Sequence, residues 1–300
     1  MIIKKLFSIM LVLLLMSVLI AGCGSNEKQK SLTIGGKAGT EAYILANLAK
    51  TLLEEEGFKV ETELGVKSVL ARQALENEEV DLYYDYTGTA YTVYHKQDNK
   101  KIMTDPEKVY DWVKKEDKKQ NIIWLKRLKY NNTYTVMIRK EDAQKWGVSS
   151  LSDLAAKDDE IKLIFGTDTE FYKRPDGLKA LMEEYNLEFK EIKKMQAGLI
   201  YKALKEEKIG AGMGYSTDGR ISAFGFVNLK DDKNFFPVYN PAPLVRKKVI
   251  DEHPEIRDIL GKLVNVLTTE KMQDLNGQVD VEHKEAEKVA EEFLKEEGLI

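Results

Sequence analysis

Apolar and polar residues follow two alternating periods in the first third of the chain. The stretch "TEAYILANLAKTLLEEEG" (40–57) has apolar residues about every 3.6 positions, which predicts a helix with Thr40 as N-cap and Gly57 as stop. A second helical pattern covers 68–79. Short extended runs flank these helices, at 31–36, 58–65 and 80–86. This succession of strands and helices predicts a parallel sheet.

The rest of the chain shows a second succession of the same kind. A helix is predicted at 106–120, and two extended runs within 122–140 are separated by the polar pair Asn131 and Asn132. Further helices and strands are predicted at 149–157, 161–167, 176–186, 197–208 and 209–218. The pattern indicates two similar α/β halves, although the sequence has no repeat.

No proline- or glycine-rich linker separates the two halves, so we expect short crossing strands to join them. The predicted boundaries are 31–132 for lobe 1 and 133–238 for lobe 2, with 239–300 returning to lobe 1. The tail from Asp251 is predicted to be helical and to pack on the first lobe.

The N-terminal segment predicts export. Residues 1–22 carry two early lysines, an apolar run of fifteen residues (6–20) and a small Ala-Gly pair, which together are typical of a signal peptide. The single cysteine of the chain, Cys23, follows at once, and "LIAGC" resembles a bacterial lipobox, with isoleucine rather than leucine at the third position before the cysteine. Acylation of Cys23 would anchor the mature protein to a membrane through the polar tether 23–30; the alternative is a buried thiol.

Charge and composition exclude several other classes of protein. Loss of residues 1–22 removes two lysines and no acid, so the net charge changes from −4 to −6. Lysines and glutamates are interspersed without a basic block, so no nucleic-acid partner is expected. One cysteine leaves no pair for an internal disulfide.

Catalytic and cofactor motifs find little support in the sequence. His95, His253 and His283 stand apart in charged helical contexts without the spacing of a zinc site. "GYSTDG" has a serine but not the flanking glycines of a nucleophile elbow, and "GAGMG" lacks the lysine of a phosphate-binding loop. We therefore expect no enzymatic activity, no metal and no cofactor.

A tyrosine cluster is the most unusual feature of the chain. Five of the 14 tyrosines fall within 83–94, in "DLYYDYTGTAYTVY" (81–94). A core could use phenylalanine instead, so either the hydroxyls have buried partners or the ring faces bind a ligand. The predicted strand 80–86 ends within this cluster, where an open parallel sheet places its binding site.

Six motifs, in this order along the chain, resemble the substrate-binding lipoproteins of osmoprotectant ABC importers. They are "IGGK" (34–37), "DLYYDYTGTA" (81–90), "NNTYTV" (131–136), "YKRPDG" (172–177), "GYSTDGRI" (214–221) and "FFPVYNPAP" (235–243). The resemblance covers essentially all of the chain after the leader. It implies a two-lobed, type II periplasmic-binding-protein-like α/β fold with the ligand cleft between the lobes.

The resemblance also implies a cage of four tyrosines, one from each of four motifs: Tyr86, Tyr134, Tyr215 and Tyr239. A trimethylammonium group has no N–H to donate, so ring faces and methyl packing must recognise it. Each face contributes about 0.5–1 kcal/mol when exposed and about 2 kcal/mol when desolvated.

The remaining tyrosines of the cluster are better explained by packing. Tyr83 and Tyr84 fall on the predicted strand, while Tyr91 and Tyr94 stand three apart on a helix for which Thr87 or Thr89 would be the cap.

By resemblance to the betaine-binding branch of the family, Lys37, Thr89 and Arg174 hold a ligand carboxylate, because all three can donate to it. Each also has an ordinary alternative: Lys37 and Arg174 as solvated cations or members of surface ion pairs, and Thr89 as a helix cap. Two cations beside the cage favour a carboxylated ligand over choline, which has no anion to offset them.

The resemblance implies an extracytoplasmic, lipid-anchored, monomeric binding protein that captures glycine betaine, carnitine or a choline-like solute and delivers it to the membrane subunits of an ABC permease. One alternative ligand is a histidine-derived betaine of the ergothioneine type. A membrane-attached enzyme or adhesin is the alternative from another class.

Overall fold

The computed structural model describes residues 30–300, apart from the side chain of Asp158. The predicted signal peptide, Cys23 and nearly all of the tether lie outside the described residues. Those described form ten strands in two five-stranded sheets, each covered by helices. No helix within 30–300 is long and apolar enough to cross a membrane.

The first sheet has the order β2-β1-β3-β10-β4. Its strands are β1 (Ser31–Lys37), β2 (Lys59–Val66), β3 (Leu82–Tyr86), β4 (Ile122–Trp124) and β10 (Pro241–Arg246). β1 is parallel to β2 and β3, as the sequence predicted, but β10 runs antiparallel to both β3 and β4. The sheet is therefore mixed.

The second sheet repeats this arrangement in the order β7-β6-β8-β5-β9. Its strands are β5 (Tyr134–Arg139), β6 (Ile164–Thr167), β7 (Glu191–Lys194), β8 (Ala211–Tyr215) and β9 (Phe226–Asn228). β6 is parallel to β7 and β8, and β5 is antiparallel to β8 and β9. Lobe 1 and lobe 2 below denote the parts built around the first and the second sheet.

The helices of lobe 1 include its C-terminal part. They are α1 (Thr40–Glu55), α2 (Ser68–Glu76), α3 (Thr87–Thr89) continuing as a π-helix (Ala90–Tyr94), α4 (Lys100–Met103), α5 (Pro106–Lys118), α13 (Lys247–Glu252), α14 (Ile256–Gly261) continuing as a 3₁₀ turn (Lys262–Asn265), α15 (Thr269–Asp280) and α16 (Ala286–Glu296).

The helices of lobe 2 are at most 9 residues long. They are α6 (Lys140–Trp146), α7 (Leu151–Ala155), α8 (Asp158–Ile161), α9 (Thr169–Lys173), α10 (Leu178–Tyr185), α11 (Ala197–Lys205) and α12 (Arg220–Ala223).

Three hydrophobic cores follow the apolar stripes of these helices. One lies under α1 and takes in Leu45, Leu52 and the tail residues Leu275 and Leu294, so the tail packs on lobe 1. A second fills lobe 2, and a third lies on the other face of the first sheet around Trp124. Because helices cover both faces of the first sheet, a strand such as "IIW" (122–124) consists of consecutive apolar residues.

Two helix caps differ from those predicted. The N-cap of α1 is Gly39, and the Thr40 hydroxyl instead donates to the Asp280 carboxylate at 2.6 Å. The helix after β3 already includes Thr87, so its N-cap is Tyr86 and neither threonine caps it. Thr87 donates to the Val238 carbonyl at 2.8 Å. In both cases a distant partner takes the hydroxyl that a local cap would have used.

Two segments, 125–133 and 229–240, connect the sheets. Two hydrogen bonds join these segments. The Asn132 amide donates to the Tyr239 carbonyl at 3.1 Å, and the Tyr239 amide donates to Asn131 Oδ1 at 2.7 Å. The polar pair that interrupts the extended run thus lies where the chain crosses between lobes. Paired short crossings of this kind suit hinge motion.

Candidate ligand-binding site

The four predicted cage tyrosines lie where the crossing segments meet the strand ends. Tyr134 begins β5 and Tyr215 ends β8, and these two residues are direct partners in the antiparallel register. Their ring centroids are 5.2 Å apart. The Tyr239 ring stands edge-on to Tyr134, with a centroid distance of 5.5 Å and an interplanar angle of 88°. Three of the predicted rings are therefore in direct contact.

Tyr86 reaches the same region from lobe 1. It ends β3 opposite Pro241, two residues beyond Tyr239, and its side chain packs against the core of lobe 2. Gly88 permits this arrangement, since a Cβ there would lie 2.8 Å from the Tyr239 ring. A larger residue at position 88 would displace that ring.

Lys37 lies at the end of β1 with its ammonium 4.5 Å from the Tyr86 ring centroid. The same ammonium donates to Asp85 Oδ1 at 2.5 Å, and Asp85 is fully buried. Lys37 is thus a paired cation beside Tyr86.

Arg174 also lies beside the predicted cage tyrosines, with its guanidinium carbon 5.4 Å from the Tyr134 ring centroid and 5.7 Å from that of Tyr239. Its Nε and Nη2 each donate to Asp176 at 2.7 Å. Nη1 lies 3.6 Å from a Glu170 oxygen, beyond hydrogen-bond range, so this nitrogen is the least engaged edge of the guanidinium.

These ion pairs correct one premise of the sequence analysis. Lys37 and Arg174 are not unpaired cations that require a ligand anion, because Asp85 and Asp176 already offset their charges. The assignment of both residues to a ligand carboxylate remains a prediction. Thr89 is buried within α3, on the same short helix as Gly88, and its role toward a ligand also remains a prediction.

Buried carboxylates account for many of the clustered tyrosine hydroxyls. Tyr83 and Tyr94 both donate to Asp85 Oδ2, at 2.5 and 2.8 Å. Tyr91 packs instead, edge-on to Trp112. The chain uses tyrosine rather than phenylalanine at 83 and 94 because each hydroxyl satisfies a charged group that has no contact with water.

Sequence reasoning missed a buried acid of the site, Glu41. Its Oε1 accepts hydrogen bonds from the hydroxyls of Tyr86 at 2.8 Å and Tyr130 at 3.0 Å. Its Oε2 accepts from the Thr217 hydroxyl at 2.5 Å. Glu41 belongs to the "TE" that follows "IGGK", but no local pattern reveals that its partners are 45, 89 and 176 residues away.

The two acids of the site that bond to cage tyrosines differ in their electrostatics. Burial raises the pKa of Glu41, and the hydroxyls of Thr217 and Tyr86 oppose that rise. Burial also works against ionisation of Asp176, but Arg174 outweighs it and holds the Asp176 pKa below its usual range. The pKa of Tyr86 is raised well above its usual value, first by burial and then by Glu41. The tyrosines therefore stay neutral and donate their protons.

The site has the composition of a binding cleft. Within residues 30–300 there is no group of three or more histidine, cysteine or acidic side chains that could hold a metal ion. The site consists of aromatic faces, two buried ion pairs and one additional buried carboxylate. It lies at the junction of the two lobes, and small-molecule sites often lie at such junctions.

The chain matches a known protein family along nearly all of its described length. The family described as "Substrate binding domain of ABC-type glycine betaine transport system" matches residues 30–296. The chain is 39% identical over 280 residues to the glycine-betaine-binding protein of Pseudomonas aeruginosa, covering 90% of this chain and 89% of that protein. It is 37% identical over 304 residues to the carnitine transport binding protein OpuCC of Listeria monocytogenes, covering 98% and 96%.

A solved structure is also similar along most of its length. The crystal structure of a glycine betaine/carnitine/choline ABC transporter protein superposes with a TM-score of 0.76 at 32% identity, covering 89% of this chain and 98% of that one. The predicted two-lobed, type II α/β fold is thereby confirmed.

Proposed function

Because the chain belongs to the family of substrate-binding domains of ABC-type glycine betaine transport systems, we propose that it captures quaternary ammonium solutes such as glycine betaine, carnitine or choline-like compounds. Members of this family bind small ligands outside the cytoplasm and deliver them to a permease. The ligand would occupy the cleft bounded by Tyr86, Tyr134, Tyr215 and Tyr239.

The observation that carries the proposal is the convergence of tyrosines from both lobes. Tyr134, Tyr215 and Tyr239 are in ring contact, and Tyr86 approaches them from the first sheet. Ring faces attract a trimethylammonium group, which has no conventional donor, and four faces contribute a few kcal/mol at about 0.5–2 kcal/mol each.

The charges around the cage support a cation or a zwitterion. Lys37 with Asp85 and Arg174 with Asp176 form two neutral pairs, and Glu41 adds a carboxylate behind Tyr86. A ligand carboxylate would accept from Arg174 Nη1, Lys37 and Thr89 without breaking either ion pair. Such charge-assisted bonds contribute about 1.5–3 kcal/mol each.

We also propose where the protein acts and with which partners. It acts as a monomer without enzymatic activity, on the outer face of the membrane, anchored by acylated Cys23 and partnered by the permease subunits. The apolar run before "LIAGC" supports the anchor.

A thermal-shift panel of glycine betaine, carnitine, choline and ergothioneine tests the ligand class. A ligand at 100 times its dissociation constant stabilises the folded protein by about 2.7 kcal/mol, which raises the melting temperature by several degrees. Recovery of unchanged, stoichiometric ligand after incubation separates a binder from an enzyme. No shift with any of these quaternary amines would refute the proposal.

Metabolic labelling with a fatty acid tests the anchor. Wild-type protein should take up the label, and the Cys23→Ser variant should lose it and be released or remain unprocessed. Label retained by the serine variant would exclude Cys23 as the site of acylation.

A further inference from the structure

Two buried carboxylates, one in each lobe, make reciprocal bonds across the cleft. Glu41 in the first turn of α1 accepts from Tyr86 of lobe 1 and from Thr217, which follows β8 of lobe 2. Asp176 of lobe 2 accepts from Tyr239 at 2.5 Å and from Thr92 of lobe 1 at 2.7 Å. Each acid therefore joins one cage tyrosine to one threonine of the opposite lobe.

The environment makes these bonds strong. Glu41 and Asp176 are each only 6% exposed. A hydroxyl bonded to a buried carboxylate is a charge-assisted donor, and such bonds are stronger than those between neutral groups. A carboxylate that accepts from a tyrosine hydroxyl also adds negative charge close to that ring.

The two threonines differ in their other contacts. Thr92 lies in the π-helix, and its oxygen is 2.9 Å from the Gly88 carbonyl as well as 2.7 Å from Asp176. It has one proton, and the carboxylate is the stronger acceptor. The side-chain bond of Thr217 goes to Glu41, and its carbonyl accepts from Asn276 of α15 at 2.9 Å. Both hydroxyls reach their carboxylates only when the lobes are in contact.

We infer that Glu41 and Asp176 are positioning residues that couple the orientation of the cage tyrosines to lobe closure, with Thr217 and Thr92 as the donors that complete each acid's bonds in the closed form. This inference rests on the proposed function. Neither threonine hydroxyl needs to touch the ligand. Their effect is on how long the closed form persists, and hence on the rate of ligand release.

Removal of the hydroxyls at nearly constant shape tests the inference. Thr217→Val and Thr92→Val should each accelerate dissociation of glycine betaine about ten-fold in stopped-flow fluorescence, with the association rate unchanged. Thr217→Ser and Thr92→Ser keep the hydroxyl and should release the ligand at the wild-type rate. Thr104→Val is the matched control, since Thr104 donates to Lys100 within lobe 1.

Three results would overturn the inference: dissociation within two-fold of wild type in both valine variants, an equal acceleration in Thr104→Val, or failure of the serine variants to restore the rate. A melting temperature measured without ligand identifies any valine variant that is merely less stable. For such a variant, the dissociation rate of the serine variant at the same position shows whether the hydroxyl itself is needed.

Ligand-free small-angle scattering separates this inference from the proposed function. If wild-type protein binds none of the quaternary amines, the proposed function fails. The cross-lobe bonds can still be tested by scattering from the ligand-free protein. The Thr92→Val, Thr217→Val double variant should then have a larger radius of gyration than wild type. Superimposable profiles would reject the role of the two threonines.

Discussion

Tyr134 and Tyr215 face each other across two antiparallel strands, with ring centroids 5.2 Å apart. Both rings are held by lobe 2, where Tyr134 also packs on Phe171 at 4.6 Å. This side of the proposed cage is fixed by strand pairing within one lobe. Tyr86 comes from the other lobe, so the complete set of ring faces depends on how the lobes meet.

Alanine at a cage tyrosine should weaken binding by about 1–2 kcal/mol, or roughly ten-fold, because one desolvated ring face is lost. Tyr86→Ala and Tyr215→Ala are the preferred variants, since Tyr134 and Tyr239 are more deeply buried and their removal also leaves a cavity. Calorimetry with glycine betaine measures the change. Tyr172→Ala is the control, because Tyr172 is 37% exposed and its ring lies under Lys194 outside the cage. Unaltered affinity in two or more cage variants would contradict the assignment.

Glycine betaine should bind about ten-fold more tightly than choline, because a carboxylate can accept from Arg174 Nη1 and a choline hydroxyl gains less. Arg174→Ala should weaken betaine binding and strengthen choline binding, since Asp176 would lose its cation and add negative charge to the cleft. Competition calorimetry at neutral pH measures both. Lys179→Ala, which removes a solvent-exposed cation of α10, should change neither. Choline binding more tightly than betaine to the wild-type protein would show that the carboxylate site is wrong.

Gly219 allows α15 to approach lobe 2 closely. A Cβ at this position would lie 2.6 Å from the Gln273 carbonyl oxygen and 2.8 Å from the Gly277 nitrogen, although the backbone at φ −65° accepts any residue. Gly219→Ala should therefore hold the lobes apart, reduce ligand affinity and enlarge the ligand-saturated protein in small-angle scattering. Gly261→Ala is the control, because its Cβ would meet nothing within 4 Å. A wild-type protein whose profile is the same with and without betaine would count against closure itself.

Asp117 should make the protein sensitive to acid. This buried carboxylate accepts from Arg72 twice, from Trp124 and from the His95 ring, which fixes the end of the helix that follows Tyr86. Burial opposes its ionisation, but His95 and Arg72 lower its pKa to about 2 from the usual 3.8. Because the folded pKa is below the unfolded one, this stabilisation is present above pH 3.8 and is lost as pH falls toward 2.

The stabilisation linked to Asp117 is about 2 kcal/mol from this shift. Urea unfolding at a series of pH values should show Asp117→Asn destabilised by about 3 kcal/mol at pH 7, with a shallower loss below pH 4. Asp251→Asn, which breaks an exposed pair with Lys247, should stay within about 0.5 kcal/mol of wild type. Equal acid sensitivity of Asp117→Asn and wild type would exclude this group as the cause.

The order of most elements was predictable because periodicity is a local property, although β7 and β9 were not predicted. The 3.6-residue stripe of 40–57 and the extended pattern of β3 each follow from a few consecutive side chains. Strand β10 was not predicted, because Pro241 and Pro243 argue against a central strand. In the fold their carbonyls accept from Leu128 and Leu125, so the strand still pairs on that side.

The sequence by itself determined the α/β alternation and, through resemblance, which four tyrosines to examine; the signal peptide and the acylated Cys23 remain predictions. Only the tertiary structure decided which charged groups surround these tyrosines. Lys37 and Arg174 form ion pairs with Asp85 and Asp176, and Glu41 accepts a hydrogen bond from Thr217. The physical reason is range. Helix and strand periods depend on neighbours a few residues apart, whereas a buried carboxylate must be satisfied by whatever donors the fold brings within about 3 Å, however distant they are along the chain.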